Sequence, residues 1–183
     1  MTELGELGPF PFDLGRIVEV FNRHGISYVA IGGVSGLLHG AVEHMTQDVD
    51  VMVASTRHNL QLIIEALTEL GAEFDGEPKV EDFTSSTRWR TQSGLIDVML
   101  TALGPNETVI TFQELDRYSE LIEVAHGILV PTASLDDMIR MKEAADRVKD
   151  HLVLPELRRL RGDAHPERSR DVDPFEDFPF DDD

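Results

Sequence analysis

Three aspartates are the residues of this chain best suited to bind a cation. Asp48 and Asp50 are the first and third residues of the run DVDVMV, whose alternation predicts a strand with valines on one face and aspartates on the other. Carboxylates at positions i and i+2 project from the same face about 7 Å apart, and such oxygen ligands suit Mg²⁺ or Mn²⁺. Asp97 lies in the apolar run LIDVML, where a lone carboxylate is unfavourable unless it is paired or bound to metal. An isolated Asp-x-Asp also fits solvent-facing strand residues, but the valine face and the third aspartate favour a metal site.

A glycine pair precedes these carboxylates in the chain. Gly32 and Gly33 end the predicted strand SYVAI and begin a predicted short helix, and backbone N–H groups at such a helix start can hold a phosphate. Ser35 follows them, but the sequence has no Gly-x-Ser-x-Gly elbow and no base paired with this serine. We therefore expect Ser35 to contact phosphate or to cap a helix, and not to act as a nucleophile.

These residues, in this order, match a family signature. The segments IGGVS at 31–35, LHG at 38–40 and TQDVDV at 46–51 resemble the signature of the polymerase-β-like nucleotidyltransferases, in which a later strand carries a third carboxylate as Asp97 does here. The segment MKEAADRVKD at 141–150 is similar to the C-terminal helix of one branch, the nucleotidyltransferase toxins of bacterial and mycobacterial toxin–antitoxin systems. The resemblance extends over roughly residues 12–160.

The resemblance implies two-metal phosphoryl transfer from a nucleoside triphosphate. Asp48, Asp50 and Asp97 would hold Mg²⁺ or Mn²⁺, and the first two would share the ion that binds the triphosphate. Lys142 is the fourth implied catalytic residue, because a lysine on the C-terminal helix, either Lys142 or Lys149, would neutralise the leaving pyrophosphate. Lys142 and Lys149 are seven residues apart and are predicted on one helical face. The implied nucleotide-binding residues are Gly32, Gly33, Ser35, Thr46, Arg147 and Lys149.

The same resemblance implies an acceptor and a partner protein. The expected acceptor is the 3′ end of tRNA, whose modification would block translation, and the expected partner is a cognate antitoxin. Two alternatives stay open. One is a modifier of small molecules of the lincosamide or aminoglycoside class, which shares the glycine and Asp-x-Asp pattern. The other is an inactive homologue that only binds a partner.

Two further positions allow both a functional and a structural interpretation. Trp89 stands between Arg88 and Arg90, so it either stacks on a base while the arginines flank phosphates, or packs in the core from a half-buried strand. Asp150 is either a fourth functional acid or the ion-pair partner of a cation on the same helix, such as Arg147.

The elements that must position these residues alternate between helical and strand patterns, which predicts an α/β (α+β) fold. The resemblance adds a polymerase-β-like nucleotidyltransferase fold, with a mixed sheet flanked by helices and a C-terminal helical segment. Strands are predicted at 27–31, 48–53, 87–91, 95–100, 120–124 and 128–130, the last four as two hairpins. Helices are predicted at 12–24, 34–39, 112–118 and 134–150, and between the cap Thr56 and Gly71.

The C-terminal helices carry a more detailed prediction. The buried side of the helix at 134–150 is expected to hold Leu135, Met138, Met141, Ala145, Val148 and Leu152. Pro155 is expected to interrupt this helix or to open a short second one that ends near Arg161. We place the nucleotidyltransferase domain at 1–162 and predict a disordered acidic tail at 163–183, where periodicity is absent and acids are dense.

Composition narrows the classes of function. A length of 183 residues fits one domain, and the absence of cysteine excludes disulfide scaffolds, thiol catalysis and cysteine-ligated metals. The net charge of −19 disfavours general nucleic-acid binding, yet residues 140–170 contain nine basic and six acidic residues, which is compatible with a focused anion site. No apolar run is long enough to span a bilayer and the N-terminus is acidic, so we expect no membrane association and a cytoplasmic location.

Overall fold

The computed structural model describes residues 12–41, 46–125 and 127–164, which form six α-helices and eight β-strands. The helices are α1 (Leu14–His24), α2 (Gly32–Leu38), α3 (Arg57–Glu69), α4 (Phe112–Asp116), α5 (Leu135–Ala145) and α6 (Val148–Ala164). The strands are β1 (Tyr28–Ile31), β2 (Asp48–Val53), β3 (Ser86–Thr91), β4 (Gly94–Met99), β5 (Thr101–Leu103), β6 (Val109–Thr111), β7 (Glu120–Ala125) and β8 (Ile128–Thr132). Among these described helices, none has the length and apolar character needed to cross a membrane.

Six of the strands form one mixed sheet in the order β3-β4-β2-β1-β8-β7. Strand β2 is parallel to β4 and antiparallel to β1, and β1 is parallel to β8. The two predicted hairpins are confirmed as the antiparallel pairs β3–β4 and β7–β8, one at each edge of the sheet. Strands β5 and β6 were not predicted and form a separate two-stranded sheet. Strand β2 lies in the interior of the sheet, with β4 paired on one side and β1 on the other.

Helices cover both faces of the sheet, and the alternation along β2 decides which side chains meet which helices. Val49, Val51 and Val53 belong to a core that includes α1 and α3. Met52 belongs to a second core that includes α4, α5 and α6. The predicted alternation is therefore confirmed, and Asp48 and Asp50 share the face of Met52, on the side of the C-terminal helices.

Side-chain caps fix where three helices begin. The side chains of Asp13, Thr56 and Ser134 accept hydrogen bonds from first-turn backbone N–H groups of α1, α3 and α5. The cap Thr56 agrees with the sequence prediction, and Ser134 stands at the predicted start of its helix. Helix α1 ends at Gly25, whose φ of 68° lies in the left-handed region that glycine adopts readily.

The predicted helix at 134–150 is continuous only as far as Ala145. Helix α5 ends at Ala145, Asp146 takes a left-handed φ of 48°, and a new helix begins at Val148. Neither glycine nor proline marks this break in the sequence, although aspartate tolerates the left-handed region better than most residues. Because the helical register restarts, Val148 and Leu152 are not buried as predicted but are 82% and 63% exposed.

Helix α6 continues through Pro155 instead of being interrupted there. Val153, Leu154 and Leu157 pack in the second core, and this packing outweighs the hydrogen bond that proline cannot donate. The helix reaches Ala164, two residues past the predicted domain boundary at 162. The rest of the predicted tail, residues 165–183, lies outside the described residues.

Candidate active site

Strand pairing brings the three singled-out aspartates together on one face of the sheet. Asp50 in β2 is opposite Asp97 in β4, and Asp97 is opposite Arg88 in β3. Asp48 precedes Asp50 by two residues and shares its face. One carboxylate oxygen from each aspartate lies within 4.8 Å of the others. The parallel register of β2 and β4 thus assembles the predicted carboxylate set from two distant segments.

Two glycines allow α2 to begin directly against these carboxylates. Gly32 has a φ of 63°, and a Cβ there would stand 2.1 Å from Oδ2 of Asp50. A Cβ at Gly33 would stand 2.5 Å from the side chain of Thr46, so neither position has room for a larger residue. The backbone N–H of Gly33 donates to the Asp50 carboxylate. The glycine pair therefore positions a carboxylate, and its contact with phosphate stays a prediction.

Thr46 also positions the cluster. Its hydroxyl lies 3.0 Å from the backbone carbonyl of Asp48 and 3.3 Å from Oδ1 of the same residue, within reach of donating to either oxygen. Local hydroxyl-to-backbone bonds of this kind fix the path of the chain at a strand end. Thr46 lies two residues before the start of β2 and beside Gly33, so it links the start of the aspartate strand to the start of α2.

The surroundings of Asp50 strongly perturb its ionisation. Burial, followed by the negative charges of Asp48 and Asp97, raises the pKa of Asp50 to about 6. The Gly33 N–H and the charge of Lys149 act in the opposite direction. An ionised carboxylate in this position is stabilised by a nearby cation, which is the behaviour expected of a metal ligand before its metal binds.

We expect Asp50→Asn to stabilise the metal-free protein in a pH-dependent way. An unfolded aspartate ionises near 3.8, but the folded Asp50 ionises near 6, so the wild-type chain loses stability as the pH rises through this window. At one pKa unit per 1.4 kcal/mol, the loss is about 3 kcal/mol above pH 7. Asparagine cannot ionise, so the Tm of the variant should exceed that of the wild type by several degrees at pH 8.

Thermal melts in EDTA from pH 4 to pH 8 measure this difference, with Asp75→Asn on the exposed surface as the control. The gain in Tm should shrink as the pH falls below 6 and should have largely gone by pH 4. A gain of the same size at every pH would mean that the charge of Asp50 is not its cause.

Arg88 contacts the aspartates directly, a contact that the sequence did not predict. Its Nε donates to Oδ1 of Asp97 at 2.7 Å, and its Nη2 donates to Oδ2 of Asp97 at 2.6 Å and to Oδ2 of Asp48 at 2.7 Å. The hydrogen bonds and charge of Asp97 raise the pKa of Arg88 above its ordinary value. The predicted β3–β4 hairpin could have indicated this contact, because its register places Arg88 opposite Asp97.

A buried aspartate organises the cations of the C-terminal helices. Lys142 Nζ donates to Oδ1 of Asp150 at 3.2 Å, and Arg147 Nε donates to Oδ2 at 2.6 Å. Asp150 also accepts the backbone N–H of Arg147 at the start of α6, and its side chain is 1% exposed. Burial favours a higher pKa for Asp150, but the hydrogen bonds and charges of Arg147 and Lys142 outweigh it and lower that pKa. Asp150 is thus the ion-pair partner of two cations.

The acidic and basic groups line one cavity of about 770 Å³. Its charged lining residues are Asp48, Asp50, Asp97, Arg88, Lys142, Arg147 and Lys149. Gly32, Gly33 and Thr46 also line it. The predicted single helical face for Lys142 and Lys149 is wrong, because the break at Asp146 puts them on separate helices. Both lysines nevertheless reach the cavity.

Ser35 is the predicted site residue that the structure does not bring to the cavity. It is fully buried, and its hydroxyl lies 3.2 Å from the Ala133 carbonyl and 2.9 Å from Sδ of Met138. These contacts tie α2 to the start of α5. The hydroxyl is therefore placed for helix packing, and its predicted contact with phosphate is not supported by this position.

Ser35→Ala should consequently affect stability and not nucleotide binding. Loss of one buried hydrogen bond costs about 1 kcal/mol, which lowers the Tm of a domain of this size by about 2–4 °C. The Ala133 carbonyl keeps its contact with Nε2 of His39 at 2.8 Å, so no acceptor is left unpaired. A thermal melt and the KM for the nucleoside triphosphate test this; a KM raised several-fold at unchanged Tm would return Ser35 to the site.

Trp89 packs in the core, as the second of its two interpretations predicted, and does not stack on a base. It is 9% exposed, and its ring contacts Phe74 and Phe83 with centroid separations of 5.0 Å and 5.8 Å. Aromatic edge contacts of this kind stabilise a core. The side chain belongs to the core shared with α1 and α3, on the face of the sheet opposite the aspartates, so it does not stack on a ligand in the cavity.

The residues of the cluster fit a divalent cation. Three carboxylates provide the oxygen ligands that Mg²⁺ and Mn²⁺ prefer, and their oxygens are close enough to share one ion. The Arg88 guanidinium already lies against two of them, which shows that this position attracts a cation. The set is therefore able to bind metal.

Comparison with solved structures identifies proteins of similar fold. LnuA, a lincosamide antibiotic adenylyltransferase solved with lincomycin bound, is 19% identical with a TM-score of 0.56, over 80% of this chain and 95% of that one. The candidate nucleotidyltransferase TM1012 from Thermotoga maritima is 18% identical with a TM-score of 0.53, over 80% and 90%. The antibiotic-resistance factor ANT(2'')-Ia, in complex with adenylyl-2''-tobramycin, is 16% identical with a TM-score of 0.52, over 82% and 86%.

These similarities concern architecture, since the identities are below 20%. No protein-family model and no curated protein matches the sequence. The mixed sheet flanked by helices, with two C-terminal helices packed over the aspartate face, agrees with the predicted fold class. The chain therefore has the nucleotidyltransferase fold shared by these solved structures.

Proposed function

We propose that the protein is a metal-dependent nucleotidyltransferase that moves a nucleoside monophosphate from a nucleoside triphosphate to an acceptor hydroxyl. The observation that carries this proposal is the cavity, in which three carboxylates that can hold a divalent cation lie on the sheet side and three cations lie on the helical side. A triphosphate needs both, since its charge is neutralised by metal and by basic side chains.

Each residue has a defined task in this reaction. Asp48, Asp50 and Asp97 hold the metal, which when bound neutralises phosphate charge and makes the acceptor hydroxyl a better nucleophile. The acceptor oxygen bonds to the α-phosphorus as its hydroxyl proton passes to solvent water, the bond between the α-phosphorus and the α–β bridging oxygen breaks, and pyrophosphate leaves with the negative charge. Lys142, held against Asp150 at 3.2 Å, is the fixed ammonium that stabilises this charge.

Arg147 and Lys149 complete the proposed nucleotide site. Asp150 orients the Arg147 guanidinium, whereas Lys149 is exposed at the start of α6 and lines the same cavity. Gly32, Gly33 and Thr46 border the cavity beside the aspartates, so they limit how closely a triphosphate approaches the sheet.

For the acceptor we propose the 3′ end of tRNA, with the protein acting as the toxin of a toxin–antitoxin pair in the cytoplasm and neutralised by a cognate antitoxin. The support is the order of motifs along the chain and the position of the segment at 141–150, whose Lys142, Arg147 and Lys149 line the cavity. These cations form a small basic site on a protein that is otherwise acidic. Such a site can bind the end of an RNA, whereas the surrounding negative charge would repel a longer stretch of the RNA backbone.

A small-molecule acceptor is the second candidate, and the cavity wall favours it over a nucleic acid in one respect. Beside the charged groups, the wall contains the apolar side chains Met99, Ala102, Leu103, Met141 and Leu152. Among the described residues, the acids that line the cavity are the three aspartates of the cluster. A wall without further acids suits a largely apolar acceptor better than a polycationic one.

Incubation with each labelled nucleoside triphosphate, Mg²⁺, and either total RNA or lincosamide and aminoglycoside acceptors tests the proposal. Label in the tRNA fraction, together with growth arrest on expression, supports the toxin. Label in a drug, with resistance and no arrest, supports the second candidate. Absence of transfer to any acceptor, with metal and nucleotide present, would contradict enzymatic activity and leave a partner-binding homologue.

A further inference from the structure

Arg88 has a position that the proposed reaction leaves unexplained. Its guanidinium makes three hydrogen bonds of 2.6–2.7 Å to Asp48 and Asp97. The acceptor atoms are both oxygens of Asp97 and Oδ2 of Asp48, which belong to the carboxylates that the proposed metal would use. A positive group therefore already lies against the oxygens at which a divalent ion would bind.

We propose that Arg88 is a built-in counter-ion of the three-aspartate cluster, which holds the cluster together without metal and is displaced when a divalent cation binds. This inference rests on the metal site of the proposed function. Oxygen lone pairs that accept Arg88 N–H groups are not free to coordinate an ion. In addition, a guanidinium within hydrogen-bond distance of a divalent cation would be repelled by it. The two cations therefore compete for the same oxygens.

Arg88 is able to leave without disturbing the fold. Its side chain is 56% exposed, against 23% for Asp48 and 14% for Asp97, and β3 is an edge strand. The long side chain can rotate away while the aspartates stay in place. Because Arg88 lines the cavity together with Lys142, Arg147 and Lys149, the displaced guanidinium remains next to the proposed triphosphate site.

Competition predicts opposite effects of removing Arg88 on metal affinity and on metal-free stability. Without the guanidinium, the carboxylates repel one another and the metal-free chain melts earlier. The same change frees their oxygens, so the affinity for a divalent ion should rise about three- to tenfold, the range expected when partly exposed ion pairs no longer compete. If Arg88 formed a purely structural ion pair, its removal would lower the stability of the metal-free protein and leave the metal affinity unchanged. If Arg88 helped to hold the metal, its removal would lower the metal affinity.

The test is Mn²⁺ binding to the full chain without nucleotide, measured by electron paramagnetic resonance or calorimetry, together with melts in EDTA and in saturating Mn²⁺. Arg88→Ala and Arg88→Gln remove the charge with different losses of bulk, so a folding defect in one does not decide the result. Arg90→Ala is the matched control, because Arg90 is an exposed arginine two residues along the same strand that does not line the cavity.

We expect both Arg88 variants to bind Mn²⁺ more tightly than the wild type, to melt earlier in EDTA and to gain more stability from Mn²⁺, while Arg90→Ala behaves like the wild type. Unchanged or weaker binding in both Arg88 variants overturns the inference. Asp97→Asn separates this failure from that of the proposed function: if it binds Mn²⁺ as tightly as the wild type, the ion is not on the cluster and the metal assignment itself is wrong.

Discussion

Asp48→Ala is expected to lower the rate of nucleotide transfer on the order of 10³-fold or more while the protein stays folded. Loss of a metal-binding carboxylate removes several kcal/mol of transition-state stabilisation, and each 1.4 kcal/mol is about tenfold in rate. The fold should survive because Asp48 lies at the start of β2 with its side chain 23% exposed. Steady-state transfer with a labelled nucleoside triphosphate, and a melt of the same sample, measure the two effects.

Asp75→Ala serves as the control for this prediction, since Asp75 is exposed and lies outside the cavity. It should transfer nucleotide at the wild-type rate. If Asp48→Ala kept a transfer rate within tenfold of the wild-type rate at saturating Mg²⁺, the assignment of Asp48 as a metal ligand would be wrong, even though the chain has a nucleotidyltransferase fold.

Lys142→Ala is expected to lower kcat about 10²-fold or more, with a smaller change in the KM for the nucleoside triphosphate. Fixed donors aimed at developing charge typically have effects of this size, and Lys142 is fixed by Asp150 with its side chain 16% exposed. The variant should also lose some stability, because the buried Asp150 keeps Arg147 as its partner but loses one cation. Single-turnover rates measured well below the Tm separate the two effects.

Two comparison variants sharpen this test. Lys142→Arg retains the positive charge and should recover part of the rate, whereas Lys79→Ala removes an exposed lysine away from the cavity and should change nothing. A large loss of rate in Lys149→Ala, with a normal rate in Lys142→Ala, would transfer the role from α5 to the start of α6.

The aspartate site was predictable because strand alternation and motif order are local properties of the sequence. The run at 48–53 predicted both the strand and the face of its aspartates, and the structure confirms each. Which residue of β3 meets Asp97 depends on the register of the β3–β4 hairpin. The sequence predicted the hairpin but its register was not used, so the contact of Arg88 with Asp97 was missed.

Other features depend on tertiary packing that no short pattern reports. Ser35 lies in a glycine-rich segment that suggests phosphate binding, yet α5 covers its hydroxyl. The break at Asp146 comes from a single left-handed residue in a sequence with good helix formers on both sides. Pro155 lies within a helix because its neighbours pack in the core. For Ser35 and Pro155, a long-range contact outweighed a local preference.

The pairing of β2 with β4 has a consequence for the order in which the protein acquires its chemistry during synthesis. Asp50 and Asp97 are adjacent in the sheet but 47 residues apart in the chain, and the cations on the helical side of the cavity, Lys142, Arg147 and Lys149, come from residues beyond 140. A chain that grows on the ribosome folds from its N-terminal end, so the carboxylates meet only after β4 has emerged, and the basic side follows later still. An incomplete nascent chain therefore has the glycine pair and the first two aspartates but no complete site, and the proposed transfer requires that α6 has docked.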